Sequence, residues 1–105
     1  MDFEINTVLN RMADAAVSSL GSDAKKAATQ TNALFAAHRD ILKQISELAL
    51  AGDLTLEELR TEVRDELLTF ESEMLDSNVA DKSAIQKAAN AANDILIDAL
   101  TELLP

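Results

Sequence analysis

His38 is the chain's one histidine, the residue type best suited to acid–base or metal chemistry near neutral pH. A ferritin-like di-metal site needs Glu-x-x-His at core-facing helix positions, but Phe35 stands where that glutamate would be. His38 instead continues the apolar series of Leu34, Ile41 and Ile45 at helical spacing. The pattern therefore predicts a buried or interface histidine with satisfied ring nitrogens, and no metal ligand.

Other catalytic and cofactor-binding patterns are missing from the sequence. With no cysteine there is no thiol nucleophile and no cysteine-bound zinc, and two glycines cannot build a P-loop or a G-x-G-x-x-G motif. The turn at Gly52 resembles the second half of an EF-hand loop that ends at Glu58, but Ala49 and Ala51 offer no side-chain oxygen in its first half. The sequence predicts no catalytic residue, no cofactor, no metal site and a protein that is not an enzyme.

The charge is strongly acidic and unevenly distributed. Nineteen acidic against nine basic residues give a net charge of -10, which disfavours direct binding to nucleic acid or to an anionic membrane. The acidity is concentrated between Asp53 and Asp76, where nine acids accompany only Arg60 and Arg64. Like charges four residues apart on a helix cost about 0.2 to 0.5 kcal/mol each, so helix stability does not explain this segment.

Three interpretations of the acidic segment are open. It is a solvated face, or it pairs with Arg39 and Lys43 across an antiparallel hairpin, or it is a docking surface for a basic partner. In the third interpretation, the candidate partner-binding residues are Glu58, Glu62, Asp65, Glu66, Glu73 and Asp76.

Helical periodicity dominates the whole chain, which is predicted to be all-α and to form a single domain over residues 1–105. A long helix is expected over about 4–51. It is followed by a break at Gly52, with Thr55 and Glu58 as the capping box of the next helix at about 56–77. A last helix begins near Asp81 or Ser83 and is predicted over about 82–104. Short connections make neighbouring helices antiparallel.

The continuity of the first helix decides between two architectures. The 4,3 spacing of apolar residues passes through Gly21 without a phase jump, which favours one long helix with two shorter helices packed on it. The alternative is a four-helix up-down bundle that is broken at Gly21. A continuous helix would be about 70 Å long, so its N-terminal face would need cover from a second chain. That face predicts coiled-coil-like self-association into a homo-oligomer through Ile5, Val8, Leu9, Met12, Val17 and Leu20.

Polar residues interrupt both alanine-rich stretches, at 29–32 and again at Gln86, Asn90 and Asn93. These residues form either one buried polar layer that fixes the helix register or ordinary surface positions.

Because the sequence contains none of these catalytic patterns, the predicted function is that of a non-enzymatic helical interaction module. Such an adaptor, chaperone-like protein or assembly component would act by burying helix faces against a protein partner. The alternative is an acidic mimic or inhibitor that occupies a basic or nucleic-acid-binding surface of another protein. The acidic first residues and the lack of a long apolar run favour a cytoplasmic location, with neither a signal peptide nor a membrane span.

Overall fold

The computed structural model describes residues 4–20, 24–77 and 81–103, and these fold into four α-helices without a β-strand. The helices are α1 (Ile5–Leu20), α2 (Ala24–Leu50), α3 (Leu56–Ser77) and α4 (Lys82–Thr101). The predicted all-α helical bundle is confirmed, in its four-helix form.

The turn between α2 and α3 is specified by local sequence on both sides. Gly52 has a φ of 84°, and its N–H donates to the carbonyl of Ala49, while the Asp53 N–H donates to the carbonyl of Leu48. This is the Schellman arrangement, and it favours glycine because other residues are strained at positive φ. On the other side, Thr55 and Glu58 exchange side-chain to backbone hydrogen bonds of 2.9 and 3.1 Å. The predicted capping box is confirmed.

The start of α4 is also set by a capping side chain. Asp81 accepts a hydrogen bond of 2.8 Å from the backbone N–H of Ala84. This selects Asp81 from the two start positions that the sequence allows, because its carboxylate satisfies an N–H group that has no partner within the helix.

Each helix packs on its two neighbours around the bundle, and α1 packs most closely on α4. Small side chains permit this close approach, with Ala16, Ala88 and Ala92 fully buried between larger apolar residues. α2 and α3 are antiparallel about Gly52, since the ring of Phe35 lies 4.8 Å from that of Phe70 while His38 contacts Glu66. The predicted antiparallel arrangement of these neighbouring helices is therefore confirmed.

The predicted continuous helix over 4–51 is wrong, because its residues form two helices that pack on each other. The molecule measures 41 × 23 × 19 Å, and a rod of about 70 Å does not fit within it. The proposed break at Gly21 lies outside the described residues. Packing decides the outcome, since folding α1 back covers its apolar face within the same chain.

The predicted self-association face is part of this covered surface. Ile5, Val8, Leu9, Met12 and Leu20 are buried in the chain's own core, and Val17 is half-buried. Among the described residues of α1, the apolar face on which the homo-oligomer prediction depends is therefore covered by the chain itself.

Candidate functional site

His38 lies between two carboxylates of α3. Its side chain is buried on α2, its Nδ1 contacts Oε1 of Glu66, and its Nε2 lies 2.8 Å from Oε1 of Glu73. A carboxylate accepts a hydrogen bond from an N–H group, and a neutral imidazole carries only one N–H. Two ionised partners therefore fit the doubly protonated, positively charged ring. The prediction of a satisfied interface histidine is confirmed.

Burial and hydrogen bonding act on His38 in opposite directions. Burial by itself lowers the pKa of the ring, because it penalises the charged form. The hydrogen bonds to Glu66 and Glu73, together with the negative charges of both carboxylates, raise it by more. The net result is a His38 pKa above the ordinary value of 6.5. His38 therefore links α2 to α3 by charge as well as by packing.

The predicted acidic residues separate into two groups. Glu66 and Glu73 turn towards His38, whereas Glu62, Asp65 and Asp76 are exposed to solvent. Glu58, also exposed, serves the capping box, and its hydrogen bonds from the backbone and side chain of Thr55 lower its pKa. The six residues thus do not share one role.

The alternative pairing of α3 acids with Arg39 and Lys43 is not found among the described residues. Arg39 Nε lies 3.7 Å from Oδ1 of its neighbour Asp40. His38 makes ion pairs from α2 to Glu66 and Glu73 of α3. The sequence pattern does not predict the pairing with His38, because it places His38 in an apolar series and offers Arg39 and Lys43 as the partners of the acids within the chain. The signal that could have found the pairing was the register itself, which places residue 38 opposite Glu66.

Exposed apolar residues border the same helix pair. Ile41 was predicted to continue the apolar series, but its side chain is 47% exposed, and Leu48 is 45% exposed. Phe35 and Arg39 line the groove between α1 and α2. At about 100° per residue, Ile41 and Leu48 lie on the opposite side of α2 from Arg39. They therefore lie on the side of α2 that faces away from α1.

The same reasoning places the acidic side of α3. Arg64 and Glu71 line a groove of about 370 Å³ between α3 and α4. Glu62 and Glu66 are each two residues from Arg64, and Glu73 is two residues from Glu71, so all three lie on the side of α3 that faces away from α4. We call the surface where these sides of α2 and α3 meet the α2–α3 face. Its members are Ala37, Ile41, Leu48, Glu62, Glu66 and Glu73.

The groove between α3 and α4 has a mixed character. Arg60 and Arg64 line it together with Glu71 and two aspartates of α4, and Leu68 forms part of its wall with 48% of its side chain exposed. Charges of both signs border this groove, so it presents no uniform potential to a ligand.

The polar residues of the alanine-rich stretches do not form a continuous buried layer. Gln86 and Asn90 are exposed, as the surface interpretation expects. Thr31 is the exception, because its side chain is fully buried and its hydroxyl oxygen has no hydrogen-bond partner. Ser46 is equally buried, but its hydroxyl donates to the carbonyl of Leu42 at 2.7 Å.

Within the described ranges, no group of three or more His, Cys, Asp or Glu side chains is arranged to hold a metal ion. The EF-hand-like turn serves there as the α2–α3 cap. None of the helices in these ranges is both long and apolar enough to cross a membrane.

Comparison with known proteins returned no relative: no described protein family, curated protein or solved structure matches this chain.

Proposed function

We propose that the chain is a non-enzymatic helical module that binds another protein by burying apolar side chains on its surface. The observation that carries the proposal is a set of large apolar residues left exposed although the chain has a complete core of its own. These residues are Ile41, Leu48, Leu56, Leu68 and Leu75, between 37% and 48% exposed.

The spacing of these residues supports the proposal. Ile41 and Leu48 are seven residues apart on α2, and Leu68 and Leu75 are seven apart on α3, so each pair lies on one side of its helix. Isolated surface leucines are ordinary, but rows of them are typical of interaction surfaces. A single row on a helix is the pattern that a groove-binding or helix-packing partner uses.

Site-specific photo-crosslinking in the cell of origin tests this proposal. A photoreactive side chain replaces Ile41, Leu68 or, as a control on the exposed surface of α4, Lys87. We expect a discrete crosslinked partner from Ile41 or Leu68 and none from Lys87. Absence of a specific crosslink at both apolar positions would contradict the proposal, as would the same products from all three.

We also propose a second candidate, an acidic mimic or inhibitor that occupies a basic or nucleic-acid-binding surface of a protein. The observation that favours it is the exposure of Glu62, Asp65 and Asp76 in a chain of net charge -10. A mimic depends on charge alone, so its binding would weaken steeply with salt and would tolerate loss of Ile41 and Leu48. An apolar docking surface would show the reverse dependence.

A further inference from the structure

Two rows of different chemistry run side by side along the α2–α3 face. Ala37, Ile41 and Leu48 form the apolar row on α2, and all three are exposed. Successive separations of four and seven residues keep them on one side of the helix. Glu62, Glu66 and Glu73 form the acidic row on α3 with the same separations. The face therefore has exposed apolar side chains beside an acidic border, in which Glu62 is exposed while Glu66 and Glu73 lie partly buried against His38.

The hairpin register sets the middle parts of the two rows side by side. With Phe35 opposite Phe70 and His38 opposite Glu66, Ile41 lies between the levels of Glu62 and Glu66. The contact of His38 with two acidic-row members holds α2 and α3 together beneath the surface. The two rows are thus presented by a fixed helix pair, and a bound partner would meet both at once.

We propose that the α2–α3 face binds a basic amphipathic helix of a partner protein, and this inference rests on the proposed function. The apolar side chains of that helix pack on Ala37, Ile41 and Leu48. Its lysines or arginines lie along the acidic border, where their charge is complementary. Glu66 and Glu73 already contact His38, so the basic flank lies mainly against the exposed carboxylate of Glu62.

A second copy of this chain fits the face poorly. Each copy carries a net charge of -10, and the face has an acidic row but no basic row to match it in a symmetric pair. Association of two copies through this surface would therefore bring like charges together.

The test uses the full chain and a synthetic probe, because it asks about the chemistry of the occupant. The probe is a fluorescent helical peptide of about 18 residues, with leucines along one face and lysines on its flanks. A peptide of the same composition in scrambled order has no amphipathic face. Binding is measured by fluorescence anisotropy at several salt concentrations. Circular dichroism establishes that each protein variant remains helical.

Two matched pairs of variants locate the site. Ile41→Ser with Leu48→Ser removes the apolar row, and Gln86→Ser with Asn90→Ser changes two exposed neutral side chains of α4 as its control. Glu62→Lys reverses one charge of the acidic border, and Asp94→Lys makes the same change of net charge on the exposed surface of α4.

We expect the amphipathic peptide to bind the parent chain more tightly than the scrambled one. We expect affinity to fall about tenfold in the Ile41 and Leu48 variant, to fall also in Glu62→Lys, and to be unchanged in both controls. Equal binding of the two peptides, or equal losses in the α2–α3 and control variants, would overturn the inference. Crosslinks from Leu68 but none from Ile41 would overturn it while leaving the proposed function standing.

Discussion

Replacement of His38 by leucine tests the charged link between α2 and α3. The substitution removes the N–H groups that His38 offers to Glu66 and Glu73. A hydrogen bond to a charged group contributes about 1.5 to 3 kcal/mol. The Glu66 side chain is only 15% exposed, so its hydrogen bond to His38 should contribute nearly the full amount to the free energy of unfolding. The Glu73 side chain is 39% exposed, and water competes for its hydrogen bond. The leucine side chain packs between α2 and α3 and so recovers part of the lost stability. We expect the free energy of unfolding to fall by about 2 kcal/mol near pH 6.

The pH dependence of this loss gives the sharper test. The folded-state pKa of His38 is raised above the ordinary 6.5, so its stabilising effect is fully present below pH 6.5. The effect is lost as the pH rises through the folded pKa, by at most about 1.4 kcal/mol for each pH unit.

Urea unfolding monitored by circular dichroism, at intervals between about pH 6 and about pH 9, measures this difference. We expect the stability gap between the parent chain and His38→Leu to shrink towards high pH. Gln44→Leu, at an exposed neutral position of α2, is the matched control, and its difference from the parent should not vary with pH. A His38→Leu gap of the same size at both ends of the range would refute the assignment of a charged ring.

Three further substitutions test the packing and the turn. Thr31→Val replaces a buried hydroxyl that has no hydrogen-bond partner, so the free energy of unfolding should rise by about 1 kcal/mol; a fall in urea unfolding would contradict this. Leu9→Asp combined with Met12→Asp places two carboxylates in the core, and we expect loss of helicity by circular dichroism; a fully helical variant would argue against α1 as a core helix. Gly52→Ala meets no atom within 4 Å but must adopt a φ of 84°, so it should cost about 1 kcal/mol, and an unchanged melting temperature would refute the strain argument.

The helix boundaries could be predicted where a local signal specifies them. Gly52, Thr55 and Glu58 end one helix and begin the next through hydrogen bonds within a few residues, so the signal is contained in the sequence. The hairpin register follows from the same turn. In the same way, Asp81 specifies the start of α4 by accepting a hydrogen bond from the nearby backbone N–H of Ala84.

The separation of α1 from α2 could not be predicted in this way. Apolar spacing continues in phase through Gly21, and one glycine costs a helix only about 1 kcal/mol. The burial of Leu9, Met12 and Ala16 against the rest of the bundle is a larger effect, and it depends on contacts far apart in the chain.

The candidate site was predicted only in part. Net charge and spacing identified the acidic residues of the third quarter of the chain, but not the attraction of Glu66 and Glu73 to His38. Spacing also assigned Ile41 to the core, because a period of three or four residues does not distinguish a core position from one on its edge. The apolar row of the α2–α3 face can be recognised only from the exposed fractions of its side chains in the folded structure.

The proposed burial of the α2–α3 face against a partner can be tested residue by residue. Amide chemical shifts of the isotope-labelled chain, followed by NMR during titration with the basic amphipathic peptide, test it most directly. We expect the largest shifts along Ala37, Ile41, Leu48 and Glu62, while Leu68 and Leu75 on the other side of α3 change little. Shifts centred on the α3–α4 groove, or spread evenly over all four helices, would contradict it.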